Sequence, residues 1–272
     1  MLKLCRAQRT ASLFAVGFGL CLSLLSYSGL TKAKELSTPA NETFQIALRE
    51  FPETAPHRDA DRLALQPFGY ESSGPLLGGL HNKWQAVKTM LEIEDKILKL
   101  CRADFETCPP AARLFLGIID KASTRDRRAR IGEINRAINR TIRPGNDLTL
   151  YGVQDFWATP LTTFASRAGD CEDYAIAKYV ALRKIGFSTS DLRLVVVEDN
   201  VSHQGHTVTA VRFETRWFVL DNLRFDVQED TKISRLTPLF FIDEEGVKRA
   251  ITPSLGRPDP LLQTPAVLSS AG

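Results

Sequence analysis

"GDCEDYAIAKYVALRKIG", Gly169 to Gly186, is the stretch whose reading decides the fold. Asp170 is a good helix N-cap, Asp173 three residues on is a shortened capping-box acid, and Gly186 is a stop. A helix over Asp170 to Ile185 is therefore expected, with Ala175, Ile176, Tyr179, Val180 and Leu182 available for burial. Cys171 falls in its first turn, where backbone N–H groups and the positive end of the helix dipole favour a thiolate. Asp170, Glu172 and Asp173 oppose that, because neighbouring negative charge disfavours another anion. Two arrangements resolve the conflict. The acids point away and only cap the helix, or they bind a hard cation such as calcium, which accepts oxygen ligands in irregular geometry.

Upstream the pattern is helical. Val87, Leu91, Glu94, Leu98 and Cys101 share a stripe in a helix that opens near Trp84 and closes before Pro109. A second helix follows Pro110 through Leu114, Phe115, Ile118 and Ile119; a third carries Ile131, Ile134, Ile138 and Ile142 until Pro144 and Gly145 stop it. "LYGVQDFWATP", Leu150 to Pro160, reads as a loop, and the Arg125, Arg127, Arg128 and Arg130 cluster as a solvated helix start.

Downstream the period changes from helical to alternating. "LRLVVVE" (192–198), "HTVTAVRF" (206–213) and "RWFVLDNL" (216–223) are dense in β-branched and aromatic residues and read as strands. Helices followed by an antiparallel sheet make an α+β fold. If Glu214 and Thr215 are a two-residue hairpin turn, Val208 faces Asp221 and His206 becomes the diagonal neighbour of Asp221, within side-chain reach. A slip of one residue would put the two on opposite faces.

A cysteine nucleophile needs a base and a group to orient it. Of four histidines, His57 and His81 lie in the polar lead-in and His203 in a Ser/Gln/Gly loop, which leaves His206 at the head of a strand. Read as structure alone, His206 is a polar strand end and Asp221 with Asn222 begins a turn. A cysteine at a helix start, followed by His and Asp on adjacent strands, instead points to a triad of Cys171, His206 and Asp221. The Cys171 backbone N–H is one oxyanion donor; Gln154 and Trp157 are candidates for the other, with Trp157 better suited to walling the cleft.

The 35 Lys and Arg against 32 Asp and Glu leave a formal charge of only +3, so composition does not favour a nucleic-acid or polyanion binder. Residues 1–33 read as a signal peptide: Lys3, Arg6 and Arg9 precede an apolar run from Ala11 to Leu30, and Thr31 and Ala33 offer a cleavage site. The alternative is an uncleaved anchor, since the run approaches the ~20 residues that span a bilayer. Residues 34–83 are rich in polar residues, Pro and Gly and read as a loosely structured lead-in, 84–242 as the main domain and 243–272 as a flexible tail. Removing the leader deletes Cys5 and Cys21. In an oxidising compartment Cys101 and Cys108 can then form a local disulfide, with three buried reduced cysteines as the alternative.

"WATPLTTFASRAGDCEDYAIAKYVALRKIG" (157–186), followed by "GHTVTAV" and "WFVLDN", resembles the bacterial transglutaminase-like cysteine proteinases of the LapG type, and the resemblance runs from about Trp84 to Phe225. It implies a papain-like or transglutaminase-like fold with Cys171 as nucleophile, His206 as base and acid, and Asp221 as orienter. It also implies calcium held by Asp170, Glu172 and Asp173. Further, it implies a periplasmic protease that clips the N-terminal region of a large surface adhesin beside small residues, releases biofilm cells, and is restrained by an inner-membrane receptor for cyclic di-GMP. Two rivals use the same residues: an acyl transferase that passes the thioester to an amine, and an inactive calcium-dependent adaptor that binds a peptide in the cleft.

Overall fold

The computed structural model describes residues 66–253. The expected signal peptide lies outside them. In chain order the elements are strand β1 (Glu71–Leu76), helices α1 (Gly79–Ala103), α2 (Pro110–Ser123) and α3 (Arg127–Thr141), the two-residue strand β2 (Arg143–Pro144), and short helices α4 (Asp147–Tyr151) and α5 (Pro160–Ser166). Strand β3 (Ala168–Gly169) leads into helix α6 (Cys171–Lys184), followed by β4 (Leu192–Asp199), β5 (Gln204–Phe213), β6 (Arg216–Leu220), β7 (Gln228–Glu229), β8 (Leu236–Ile242) and β9 (Val247–Ile251). Seven strands form one antiparallel sheet in the order β1-β9-β8-β4-β5-β6-β7. The fold is α+β, as its sequence pattern indicates.

Helix α6 is the centre of the molecule. Every residue from Cys171 to Leu182 is buried, including Glu172, Asp173 and Lys178. Such a helix has no solvated face, which is why its sequence lacks a clear apolar stripe. It packs against α3, α5, β4 and β5. Strand β4 alternates between two apolar layers: Leu192, Leu194 and Val196 join the core under α6, while Val195 and Val197 pack with Val208, Trp217, Val219 and Phe241 on the opposite face. Isoleucines 131, 134 and 138 of α3 are fully buried, so the helical spacing read from the sequence is the buried face. Cys101 and Cys108 are disulfide-bonded and clip the end of α1 to the start of α2.

Two expectations about the domain's edges are corrected. Strand β1 lies inside the expected lead-in and β9 inside the expected tail, and the two pair with each other, Glu71 opposite Ile251 and Leu76 opposite Val247. The composition of β1 hides it, since it reads "ESSGPL" and its Pro75 suits an edge strand that need not donate on its open side. Asp243 also belongs to the fold: its carbonyl accepts the Trp84 indole N–H at 2.7 Å, and the Trp84 and Tyr179 rings meet edge to face. The expected loop from Leu150 to Pro160 is in part helical, because α4 runs to Tyr151.

Candidate active site

Strands β5 and β6 form the hairpin that carries the candidate base. Its ladder runs from Phe213 opposite Arg216 to Thr209 opposite Leu220, one step short of Val208 opposite Asp221, so the register is the one expected. Glu214 adopts φ +59, the left-handed conformation that a two-residue turn needs and that Glu enters only with strain. His206 Nε2 then lies 2.9 Å from Asp221 Oδ1, and both residues are buried.

Asp221 is held on every side. Its Oδ1 also accepts the Leu223 N–H at 2.9 Å, its Oδ2 accepts from Arg235 at 2.9 Å, and its backbone carbonyl accepts the Asn139 side-chain amide at 2.9 Å. Burial alone would raise the proton affinity of this carboxyl, but the hydrogen bond and charge of His206, the Leu223 N–H and the charge of Lys178 outweigh it. Asp221 is thus held well below the usual carboxylate range.

Cys171 is the first residue of α6 and only 2% exposed. The hydroxyl of Thr209 on β5 donates to the Ala175 carbonyl at 2.7 Å, tying the helix that bears Cys171 to the strand that bears His206. Cys171 Sγ lies 3.2 Å from Glu172 Oε2.

The acids around the cysteine separate into two jobs. Asp173 closes the capping box with Asp170: its Oδ2 accepts the Asp170 N–H at 3.3 Å, while its Oδ1 accepts the Ala158 N–H at 2.8 Å. Both of its oxygens are therefore turned to backbone N–H groups rather than toward a shared cation. Gly169 makes room for this cap, since a Cβ there would sit 2.5 Å from Asp173 Oδ2.

The acids that converge are Asp147, Asp170 and Glu172, each offering one oxygen, all within 4.8 Å of one another. Asp147 was not anticipated from sequence. It lies far upstream of the cysteine, behind "RPGN", and reaches the site because β2 pairs in parallel with β3, setting Pro144 opposite Gly169. The Gly145 N–H donates to the Gly169 carbonyl at 2.8 Å and extends that clasp. Asp147 Oδ2 accepts the Phe156 N–H at 2.6 Å, while its Oδ1 and the Oδ1 of Asp170 are buried with no hydrogen-bond partner among the described residues.

Burial, and after it the charge of Asp147, push Asp170 up to about 7. Burial, then Asp170 and Asp173, push Glu172 well above the usual range, and burial raises Asp147 as well. A cluster of desolvated carboxylates with orphaned oxygens is what a bound cation relieves. The donors are all oxygen, and two oxygens on one calcium lie at most about 5 Å apart, so the separations fit a hard cation of that size.

The remaining sequence candidates divide. Gln154 is exposed. Trp157 is buried, and it lines a groove with Lys83, Val87, Met90 and Thr159 between α1 and the segment before α5.

Residues 96–237 match the family described as bacterial transglutaminase-like cysteine proteinase. Among solved structures, Legionella pneumophila LapG is similar at 22% identity, covering 57% of this chain and 86% of that one, with a TM-score of 0.47. The calcium-bound form of the same Legionella protein is similar at 23% identity, covering 60% and 91%, with a TM-score of 0.48. The EGTA-treated form gives 24% identity, 59% and 87% coverage, and a TM-score of 0.49. No curated protein sequence matches the chain. The chain is a cysteine protease and belongs to the bacterial transglutaminase-like cysteine proteinase family.

Proposed function

We propose that this protein is a periplasmic, calcium-dependent endopeptidase in which Cys171 is the nucleophile, His206 the base and acid, and Asp221 the group that orients the imidazole. The observation that carries this reading is the buried 2.9 Å bond between His206 Nε2 and Asp221 Oδ1, on a strand anchored to the cysteine's helix. With Nε2 engaged by Asp221, Nδ1 is the ring nitrogen that exchanges protons during the reaction. The Cys171 thiolate attacks the peptide carbonyl carbon, and the C–N bond breaks as His206 gives its proton to the departing amine. His206 then takes a proton from water as that water attacks the thioester; the C–S bond breaks, which restores the thiolate beside the protonated imidazole and frees the acid product. The Cys171 backbone N–H, at a helix start where amides lack intrahelical acceptors, stabilises the oxyanion.

Asp147, Asp170 and Glu172 would hold the calcium ion, and Asp173 would shape the backbone around them. When bound, the ion supplies the positive charge that lets these carboxylates remain ionised beside a thiolate.

The substrate we propose is the N-terminal region of a large cell-surface adhesin, cut beside small residues so that biofilm cells detach, with an inner-membrane cyclic di-GMP receptor as regulator. The family membership and the export leader read in residues 1–33 support this reading. Among the described residues no helix is long and apolar enough to cross a membrane. The test is incubation of the purified protein with the N-terminal fragment of a large, repeat-rich adhesin from the same bacterium, in calcium or in EGTA, with C171A as control. Cleavage in calcium alone is the expected result. A product joined to an added amine would replace hydrolysis by acyl transfer, and an intact fragment would remove the adhesin as substrate.

A further inference from the structure

Arg235 lies just before β8 and reaches two acids at once. Its Nη2 donates to Asp221 Oδ2 at 2.9 Å and its Nη1 to Asp199 Oδ2 at 2.5 Å. Asp199 is the last residue of β4 and organises the connection that leads to His206: its Oδ1 accepts the Val201 N–H at 2.9 Å, and its carbonyl accepts the His203 N–H at 2.7 Å. The Arg235 carbonyl in turn accepts the Asn200 N–H at 2.8 Å. One planar guanidinium therefore joins the carboxylate at the end of β6 to the turn that opens β5. Both acids are under 10% exposed and the arginine side chain is 26% exposed, so these are charge-assisted bonds largely shielded from water.

A carboxylate fixed through one oxygen still rotates about its Cβ–Cγ bond. With Oδ2 on Arg235, that rotation is blocked and Oδ1 stays aimed at Nε2. Lys would not reproduce the geometry, because it presents a point charge in place of a rigid fork.

We infer that Arg235 is a positioning residue for the reaction, clamping Asp221 and the Asp199 turn together so that the His206 ring is delivered in one orientation. This rests on the assignment of His206 and Asp221 given above, but its test does not depend on peptide hydrolysis.

The experiment is proton NMR of 15N-histidine-labelled protein, following the His206 Nε2–H resonance, assigned by its loss in H206Q. In the native protein this proton is expected to be protected from solvent by its bond to Asp221, and D221N abolishes the protection. In R235A and R235Q its exchange becomes faster by roughly tenfold or more, the scale of losing one charge-assisted hydrogen bond. R235K falls between. A folded R235A or R235Q that keeps native protection overturns the inference, since the ion pairs are then only structural. Failure of both variants to fold also overturns it, because the arginine is then needed for the fold itself. If the native Nε2–H is unprotected, or D221N leaves it unchanged, the triad assignment fails instead.

Discussion

Lys178 lies in the middle of α6 with no exposed surface, and its ammonium nitrogen has no hydrogen-bond partner among the described residues. Burial lowers its proton affinity from the ordinary 10.5 to about 7, against the pull of the Asp221 carboxylate. A fall of that size corresponds to about 5 kcal/mol of opposed protonation. An unfolded chain holds the Lys178 proton up to its ordinary value, whereas the folded chain releases it near neutrality. Between those limits the unfolded state binds more protons, so stability rises with pH across that window and the full cost is present below it. Replacing Lys178 by Met keeps the length of the stem and removes the charge. K178M should therefore be more stable than the native protein by roughly 2–4 kcal/mol at pH 7, and this advantage should shrink by about 2–3 kcal/mol by pH 9. Urea unfolding followed by circular dichroism at pH 7, 8 and 9 measures both quantities. Equal stability of the two proteins at pH 7, or a gap that does not narrow toward pH 9, refutes the reasoning.

Calcium should raise the melting temperature of the native protein relative to EGTA, by an amount corresponding to about 3 kcal/mol at a hundredfold excess over its dissociation constant. D147N should lose most of that gain, and an undiminished shift in D147N would remove Asp147 from the site. H206A and D221N should each lower peptide cleavage by about a hundredfold or more while the circular dichroism spectrum is retained; cleavage within a few-fold of native in either would contradict the assigned roles. Replacing Cys101 and Cys108 together by Ser opens a short loop at the α1–α2 junction, which should cost roughly 2–3 kcal/mol in urea unfolding and leave cleavage intact. Loss of cleavage by a stable double variant would tie this junction to the active site.

The helices and the central hairpin were legible because burial there is periodic. Isoleucines 131, 134 and 138 recur at helical spacing and are all inside, and β4 reads "LRLVVVED" because both of its faces are covered. The position of His206 beside Asp221 followed from one number, the length of the turn at Glu214 and Thr215, because side chains alternate strictly along paired strands. The edge strands were not legible. Residues of β1 are mostly half-exposed, with Ser, Gly and Pro in place of β-branched residues, so nothing in their pattern distinguishes them from a linker.

Asp147 was missed for a different reason. Its place beside Asp170 depends on a two-residue parallel ladder between β2 and β3, a contact with no local signature. Asp173 adjoins the candidate ligands in sequence, but it stands three residues after the N-cap, where its oxygens close back on the Asp170 and Ala158 N–H groups. Lys178 fell at a helical position that the pattern left unassigned; only the packing of α6 on all sides makes it buried.

The claim on which the account depends is that peptide cleavage passes through Cys171. The direct measurement is the intact mass of the protein, quenched in acid during turnover of the adhesin fragment in calcium. A transient species heavier by the mass of the N-terminal cleavage product less one water, carried on Cys171 and absent from C171A, is the predicted result. Continued cleavage by C171A, or turnover without any such adduct while H206A cleaves as well as the native protein, would contradict it.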